Sequence, residues 1–427
     1  MVADRDVFRD SNGAASSLDP EEAKPQLPIP PVTQEAHIWT PKGQDFYSRA
    51  EIRRQTGQYR SCIPTKIADW SPTSSSELSA DIEDATRALV EFDQHAAHSL
   101  GPDTSAIGPM SAILLRTESA SSSQIENLTV RARQLALAEI GAGDSLNSQE
   151  VVGNVRAMEA AIALSDEISF GSILAMHHSL LTHQRGMEGH AGILREELVW
   201  IGKGEAGPRQ ADFVAPQPQL VRPALDDLMS FANRTDIPVL LQIAVAHAQF
   251  ETIHPFVDGN GRTGRALVQA LLRSTGIAKY TTVPLSAGLL TDTERYFAAL
   301  TAFRAGDAEP ICRTFAQAAR FAAASGRELI DQLRAELEVA RMLLLGVNRH
   351  AAAWRLLPRL IGQPVVNSAY VQQALGVGTV TANRALETLS ERGVLVERTG
   401  KRRGRIWQHT GMLNVLDEYA EGIRRAT

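Results

Sequence analysis

The chain has 427 residues, 44% of them hydrophobic, and carries a formal net charge of −6. That length holds roughly two or three domains with well-filled cores, and a net acidic chain is not a polyanion-coating protein, although a local basic patch is compatible with it. The opening Met1-Val2-Ala3-Asp4-Arg5-Asp6 is charged where a secretory leader turns apolar, and no apolar run is long enough to cross a bilayer, so a cytoplasmic protein without membrane contact is expected. Cys62 and Cys312 lie outside any metal-ligand spacing and read as small buried hydrophobes, which excludes a disulfide framework or a cysteine zinc site.

In chain order, residues 1–35 are polar and proline-rich (Pro25, Pro28, Pro30, Pro31) and read as a disordered or extended arm. Residues 36–140 form an N-terminal helical region, with helical apolar spacing from Asp81 onward at Ile82, Ala85, Leu89 and Phe92. A core over 141–325 continues it through Asn147–Leu164 and Phe170–Leu181. One interruption, Ile193 to Ile201, combines β-branched and aromatic residues before the glycine-containing turn region Gly202–Pro208, which predicts a small hairpin over about 193–215. Pro216-Gln217-Pro218 opens a helix near Gln219; the next follows Asp236, with Leu240, Ile243, Ala244, His247 and Phe250 along one face, and delivers His254 to a loop. Helix resumes over Thr263–Ser274, Phe297–Ala324 and Arg327–Leu345, the stretch 326–362 serving as a helical linker. In 363–427, Ser368–Leu375, a turn at Gly376-Val377-Gly378 and Thr379–Arg392 have helix-turn-helix spacing, and short strands flank the basic turn Gly400-Lys401-Arg402-Arg403-Gly404. The fold class is therefore mainly α, a helical bundle with a small β-hairpin, plus a C-terminal winged helix-turn-helix domain and a last helix.

The chemistry concentrates in His254-Pro255-Phe256-Val257-Asp258-Gly259-Asn260-Gly261-Arg262-Thr263-Gly264-Arg265. Gly259 and Gly261 free the backbone so that N–H groups converge on an anion at the start of the following helix. Asp258 is a hard oxygen ligand suited to magnesium, and Arg262 and Arg265, three apart, each present a fork to phosphate oxygens. His254 titrates near neutrality and suits a base that takes a proton from an attacking hydroxyl; Phe256 anchors the loop. The run is not a P-loop, since no Lys-Ser/Thr follows the glycines, nor a dinucleotide fingerprint, since no strand precedes it. Singly, a histidine at a helix end is a cap and an Asp-Gly pair a turn; together they point to a magnesium-bound polyphosphate.

The run resembles, without departure, the signature of the Fic-domain family, His-x-Phe-x-Asp-Gly-Asn-Gly-Arg-x-x-Arg. The resemblance implies an all-helical fold and transfer of AMP from ATP, with Mg2+, to a Tyr, Thr or Ser hydroxyl of a target protein, self-modification included. It makes His254 the base, Asp258 the magnesium ligand, Gly259, Asn260 and Gly261 the phosphate cradle, Arg262 a phosphate partner and Arg265 the γ-phosphate contact. The hairpin, with Leu198, Val199, Trp200 and Ile201, resembles the family's target-positioning flap. Upstream, Ser121-Ser122-Ser123-Gln124-Ile125-Glu126-Asn127 is similar to the family's inhibitory motif, with Ser122, Glu126 and Asn127 at its fixed positions; Glu126 paired with Arg265 would take the guanidinium meant for the γ-phosphate. The plainer local alternative is a helix start with a surface acid. Alternatives also stay open for function: removal of AMP, another nucleotide donor, or a regulator that binds duplex DNA through the winged helix while the core senses nucleotide. Family members often form homodimers. Tyr296 resembles a residue near the nucleotide but equally suits packing, and His177-His178, facing different sides of a helix, are not read as a metal site.

Overall fold

The computed structural model describes residues 26–41, 46–99, 107–143, 145–182, 184–204, 206–399 and 404–426. The expected arm lies outside them up to residue 25. Residues 26–32 run extended against the rest of the chain: Leu27 and Ile29 are buried, Ile29 N–H donates to Gly306 O, and Ala308 N–H donates to Leu27 O.

The N-terminal helical region, whose helical spacing begins at Asp81, is preceded by a two-stranded antiparallel sheet, β1 (Thr33–Trp39) and β2 (Gly57–Ile63), around the short helix α1 (Arg49–Gln55). Its alternation is carried by His37, Trp39 and Tyr59; Tyr59 stacks on His37 and meets Trp39 edge-on across the strands, a pattern too polar to stand out in the sequence. The long helix α2 (Ser76–His98) follows, buried along Leu78, Ile82, Ala85, Leu89 and Phe92. Then come α3 (Ile107–Ile125), α4 (Ala132–Glu139), α5 (Leu146–Ala163) and α6 (Phe170–Leu181).

The hairpin is shorter and later than expected: β3 (Trp200–Gly202) pairs with β4 (Ala211–Val214). Residues 193–198 are no strand, because the groups there are engaged elsewhere, as described below. Next are α7 (Pro218–Ala232) and α8 (Val239–Ile253). Every residue of α8 from Leu240 to Ile253 is buried, so it is the central helix of the bundle. It is followed by α9 (Asn260–Ser274), α10 (Leu285–Leu290), α11 (Thr293–Ala305) and α12 (Glu309–Leu343). The helix expected over Phe297–Ala324 is divided at Gly306 between α11 and α12, and α12 then runs on through residue 325 to Leu343 without a break. Gly326 does not break it, and its lack of a side chain is needed, since a Cβ there would come within 2.7 Å of Phe92 Cε2 on α2.

Short helices α13 (Ala352–Leu356) and α14 (Arg359–Gly362) precede the last segment: β5 (Val365–Asn367), α15 (Ser368–Leu375), α16 (Thr379–Glu391), β6 (Val396–Glu397), β7 (Ile406–Gln408) and α17 (Thr410–Ala426). The three strands form an antiparallel sheet in the order β5–β7–β6. Lys401, Arg402 and Arg403, expected at the tip of its basic turn, lie outside the described residues. Both cysteines are buried, as expected. Among the described residues no helix is long and apolar enough to cross a membrane.

Candidate active site

The site is built where α8 hands the chain to α9. His254 caps α8 in the left-handed region, φ 50° and ψ 62°, a conformation that costs a non-glycine residue about 1–3 kcal/mol and must be held by its surroundings. Its N–H donates to Phe250 O at 2.9 Å and its carbonyl accepts from Arg195 Nε at 2.8 Å. Arg195 is 3% exposed and also donates to the carbonyls of Glu197 and Pro216. It thus nails the segment before β3 to the loop, and this is why 193–198 cannot pair as a strand. Burial, with Arg304 and Arg195 nearby, pushes the His254 imidazole down to about 4, so near pH 7 it is neutral and able to accept a proton.

The loop closes on itself. Asn260 Oδ1 accepts from Phe256 N–H at 2.8 Å and its Nδ2 donates to Phe256 O at 2.9 Å. Its side chain is therefore a clamp, and its contribution to an anion cradle is left to its backbone amide. Phe256 is fully buried and stacks on the His177 ring at 3.6 Å between centroids. His177 Nδ1 accepts from Gly192 N–H and Nε2 faces the Asp258 carbonyl, each at 3.0 Å. Burial pushes this histidine to about 4, so the neutral ring donates from Nε2. It is a loop buttress.

Helix α9 begins at Asn260, three residues earlier than expected, so the second half of the signature is its first turn. Gly259 caps it at φ 76°, and a Cβ there would also press on Leu180 Cδ2 at 2.7 Å. The free amides of that first turn face a cleft of ≈ 450 Å³, lined among others by Glu126, Gln184, Ile201, Glu251, His254, Asp258, Arg262, Arg265 and Tyr296. A first turn of free N–H groups beside two guanidiniums is a ready anion site. Arg262, 4% exposed, lies 3.3 Å from Asp258 Oδ2, which also accepts from Gln184 Nε2 at 2.9 Å.

Arg265 is held from α3. Its Nε donates to Ser122 Oγ and its NH2 to Ser122 O, both at 2.9 Å, and NH2 also reaches Glu126 Oε1 at 2.7 Å. The Glu126 carboxylate lies directly over Gly261, where any Cβ would overlap Oε1. Loss of water around the carboxylate opposes its ionisation, but the Arg265 charge and hydrogen bond, aided by Arg262, outweigh this and hold it below the usual range. The serine-rich run is therefore the end of a helix and not a helix start. Asn127 takes φ 63°, its N–H donates to Gln124 O, and Leu128 N–H donates to Ser123 O, the bond pair of a Schellman C-cap. An Asn at that position supplies the left-handed turn that aims Glu126 at Arg265.

Of the four flap residues, Ile201 lines the cleft. Leu198 and Trp200 line a separate groove, where Trp200 meets Trp39 edge-on at 5.5 Å; Val199 supplies its carbonyl to Ala215 N–H. Tyr296 is buried, its hydroxyl 2.7 Å from His247 Nε2, and forms part of the cleft wall. Nothing in the sequence marked Gln184, Arg195 or Glu251 as neighbours of the signature loop.

The fold and site define a helical bundle whose central helix ends in a histidine-led, glycine-containing loop, and comparison finds a family that matches part of the chain. Residues 167–272 match the Fic/DOC family and residues 79–163 the Fic/DOC family N-terminal segment. Residues 79–163 and 167–272 are the part of the chain that matches this family. It is 31% identical over 155 residues to protein adenylyltransferase fic-1 of Caenorhabditis elegans, covering 36% of this chain and 27% of that protein. To protein adenylyltransferase Fic of Nematostella vectensis it is 28% identical over 179 residues, covering 40% and 38%. The chain thus spans well under half the length of these relatives. A Fic family protein from Desulfovibrio desulfuricans has the same fold, with a TM-score of 0.50 at 24% identity over 79% of this chain and 97% of that one.

Proposed function

We propose that this protein transfers AMP from ATP to a hydroxyl side chain of a protein, and that Glu126 restrains the reaction. The observation that carries this reading is the single wall formed by neutral His254, the first-turn amides of α9 and the guanidiniums of Arg262 and Arg265, with a carboxylate seated where an anion would bind. His254 takes the proton of the attacking hydroxyl; the amides and Arg262 hold the phosphates in line; Arg265, freed from Glu126, takes the terminal phosphate. These are positioning and charge-neutralising roles, which phosphoryl transfer chiefly needs.

Magnesium fits at Asp258. Both side-chain bonds of this residue fall on Oδ2, leaving Oδ1 to the cleft, and its side chain is 39% exposed. Among the described residues no group of three or more His, Cys, Asp and Glu could hold a metal, so no dedicated cage competes, and magnesium accepts one carboxylate when phosphates supply further oxygens. Bound there, it would neutralise charge on the phosphates.

Purified protein incubated with magnesium and ATP labelled at either the α- or the γ-phosphate tests the reading, with wild type and His254→Ala compared in the presence of cell extract. Label from the α position, at least about 100-fold weaker in His254→Ala, supports transfer of AMP; label from the γ position, or none with either donor, refutes it.

We propose further that residues 363–409 form a winged helix. The order β5, α15, α16, β6, β7 and the β5–β7–β6 sheet support this, and the exposed start of α16, with Val380 83% exposed, would be its reading face for duplex DNA. A mobility shift of labelled duplex by the full chain, weakening as salt rises, tests the DNA role; no shift at low salt refutes it.

A further inference from the structure

The cleft holds a second ionisable side chain that the reading above does not use. Glu251, one turn before His254 on α8, is 6% exposed, and its Oε2 lies 3.9 Å from His254 Nδ1. Glu251 Oε1 and His254 Nδ1 are both shut off from solvent without a well-aligned hydrogen-bond partner, although the ring also lies within reach of the Glu251 main chain. A buried polar atom left unpaired is costly, so two complementary groups held side by side just beyond hydrogen-bond distance mark a contact that a small rotation of the carboxylate closes when the site is at work. Both belong to the wall of the same cleft.

We infer that Glu251 is a positioning residue for His254: its carboxylate takes the Nδ1–H of the ring, fixes the tautomer that leaves Nε2 open, and stabilises the imidazolium formed during transfer. The inference rests on the proposed function. In the step, the O–H bond of the attacking hydroxyl breaks and its proton goes to His254 Nε2. The oxygen forms its bond to the α-phosphorus, and the bond from that phosphorus to pyrophosphate breaks, its electron pair leaving with pyrophosphate. The ring's positive charge then faces the Glu251 carboxylate, the logic by which a buried acid orients a catalytic histidine.

The charged and titratable groups facing the pair are Glu126 from the end of α3, Arg195 from the loop before β3, Arg265 from α9, and Tyr296 and Arg304 from α11. Burial raises Glu251 to about 7, against the pull of Arg265 and Arg304. Below that value the proton rests on the carboxyl and the ring loses its acceptor, so the rate should fall as pH drops through about 7.

The test compares Glu251→Gln and Glu251→Asp in a Glu126→Gly background, measuring kcat, KM for ATP and the pH profile from about 5.5 to 9. Side-chain 15N NMR of His254 is recorded in the same nucleotide-free proteins. Glu251→Gln should lower kcat about 10- to 1000-fold with KM for ATP nearly unchanged, abolish the limb near pH 7, and deplete the Nδ1–H tautomer; Glu251→Asp should restore part of each. A structural role alone would move the melting temperature and KM but not the limb or the tautomer. Unchanged kcat and pH profile in Glu251→Gln, or wild-type His254 protonated at Nε2 above pH 7, overturns the inference. If no protein transfers label, the proposed function fails, while the NMR still decides whether Glu251 sets the tautomer.

Discussion

Replacing Glu126 by glycine removes the carboxylate from the mouth of α9 and leaves Arg265 with its two bonds to Ser122, at 2.9 Å each. A hydrogen bond to a charged group contributes about 1.5–3 kcal/mol. Because the Glu126 side chain is 41% exposed, the lower end applies, and about 1.4 kcal/mol is tenfold in an equilibrium. The carboxylate also occupies the space over Gly261, and its repulsion of a phosphate there adds a contribution of similar size, so Glu126→Gly should raise α-label incorporation about 10- to 100-fold. Glu126→Gln keeps the volume and loses the charge, and should recover part of that gain. Arg265 holds Glu126 below its ordinary 4.5, so the ion pair is present above that value and is lost only as pH falls through the depressed one. The activation ratio should accordingly be flat above about pH 8, clear of the titration of Glu251, which Glu126 helps to raise. The assay is initial rate with saturating magnesium beside a thermal melt; a Glu126→Gly protein that melts like wild type and transfers no faster refutes the brake.

Two further outcomes follow from the same contacts. Gly261→Ala places a Cβ onto Glu126 Oε1 and 3.0 Å from Arg265 NH1, so it should cost about 1–3 kcal/mol in urea unfolding, and distinctly less beside Glu126→Gly; equal costs in both backgrounds would sink the packing argument. Glu118, fully enclosed and accepting from Gln269 and from the Ser286 amide and hydroxyl, is pushed by burial from 4.5 up to about 7. Its folded pKa is the higher one, so stability present below about 4.5 is lost as pH rises through about 7. Whatever fixed offset Glu118→Gln introduces, wild type should lose up to about 3 kcal/mol relative to it between those limits, and identical offsets at both ends would contradict this.

The candidate site was legible where its chemistry is contiguous. Twelve residues from His254 to Arg265 carry base, carboxylate, glycines and guanidiniums, and a turn and one helix bring them together without distant partners. Glu126 was legible as a motif, but its local structure was open, because serines with a nearby acid suit a helix start by composition; the left-handed Asn127 settles it as an end. The hairpin was misplaced because Ile193, Val199 and Ile201 have strand propensity, whereas Arg195 spends its donors on the carbonyls of His254, Glu197 and Pro216 and holds 193–198 out of the sheet. Gly326 lies within α12 because its lack of a side chain lets Phe92 approach closely, a contact no local pattern announces. Gln184, His177 and Glu251 act through contacts from other helices or across a helical turn, and no spacing in the sequence announces such contacts.

Under the proposed restraint, the architecture of α3 lets Glu126 leave without dismantling the site. Arg265 is 2% exposed, and an isolated guanidinium that deep would be costly. Two of its bonds come from Ser122, which lies within α3, and only one from Glu126, which lies past the last helical residue, Ile125. The Ser122 bonds hold the guanidinium in place and partly satisfy it whether or not Glu126 is engaged. The Glu126 side chain, outside the regular helix and facing the cleft, can be displaced by a rotation of its own torsions, and an incoming phosphate offers Arg265 an anion in exchange. The cost of release is then the difference between two charged partners of one arginine, a quantity small enough for a ligand or a second protein to reverse.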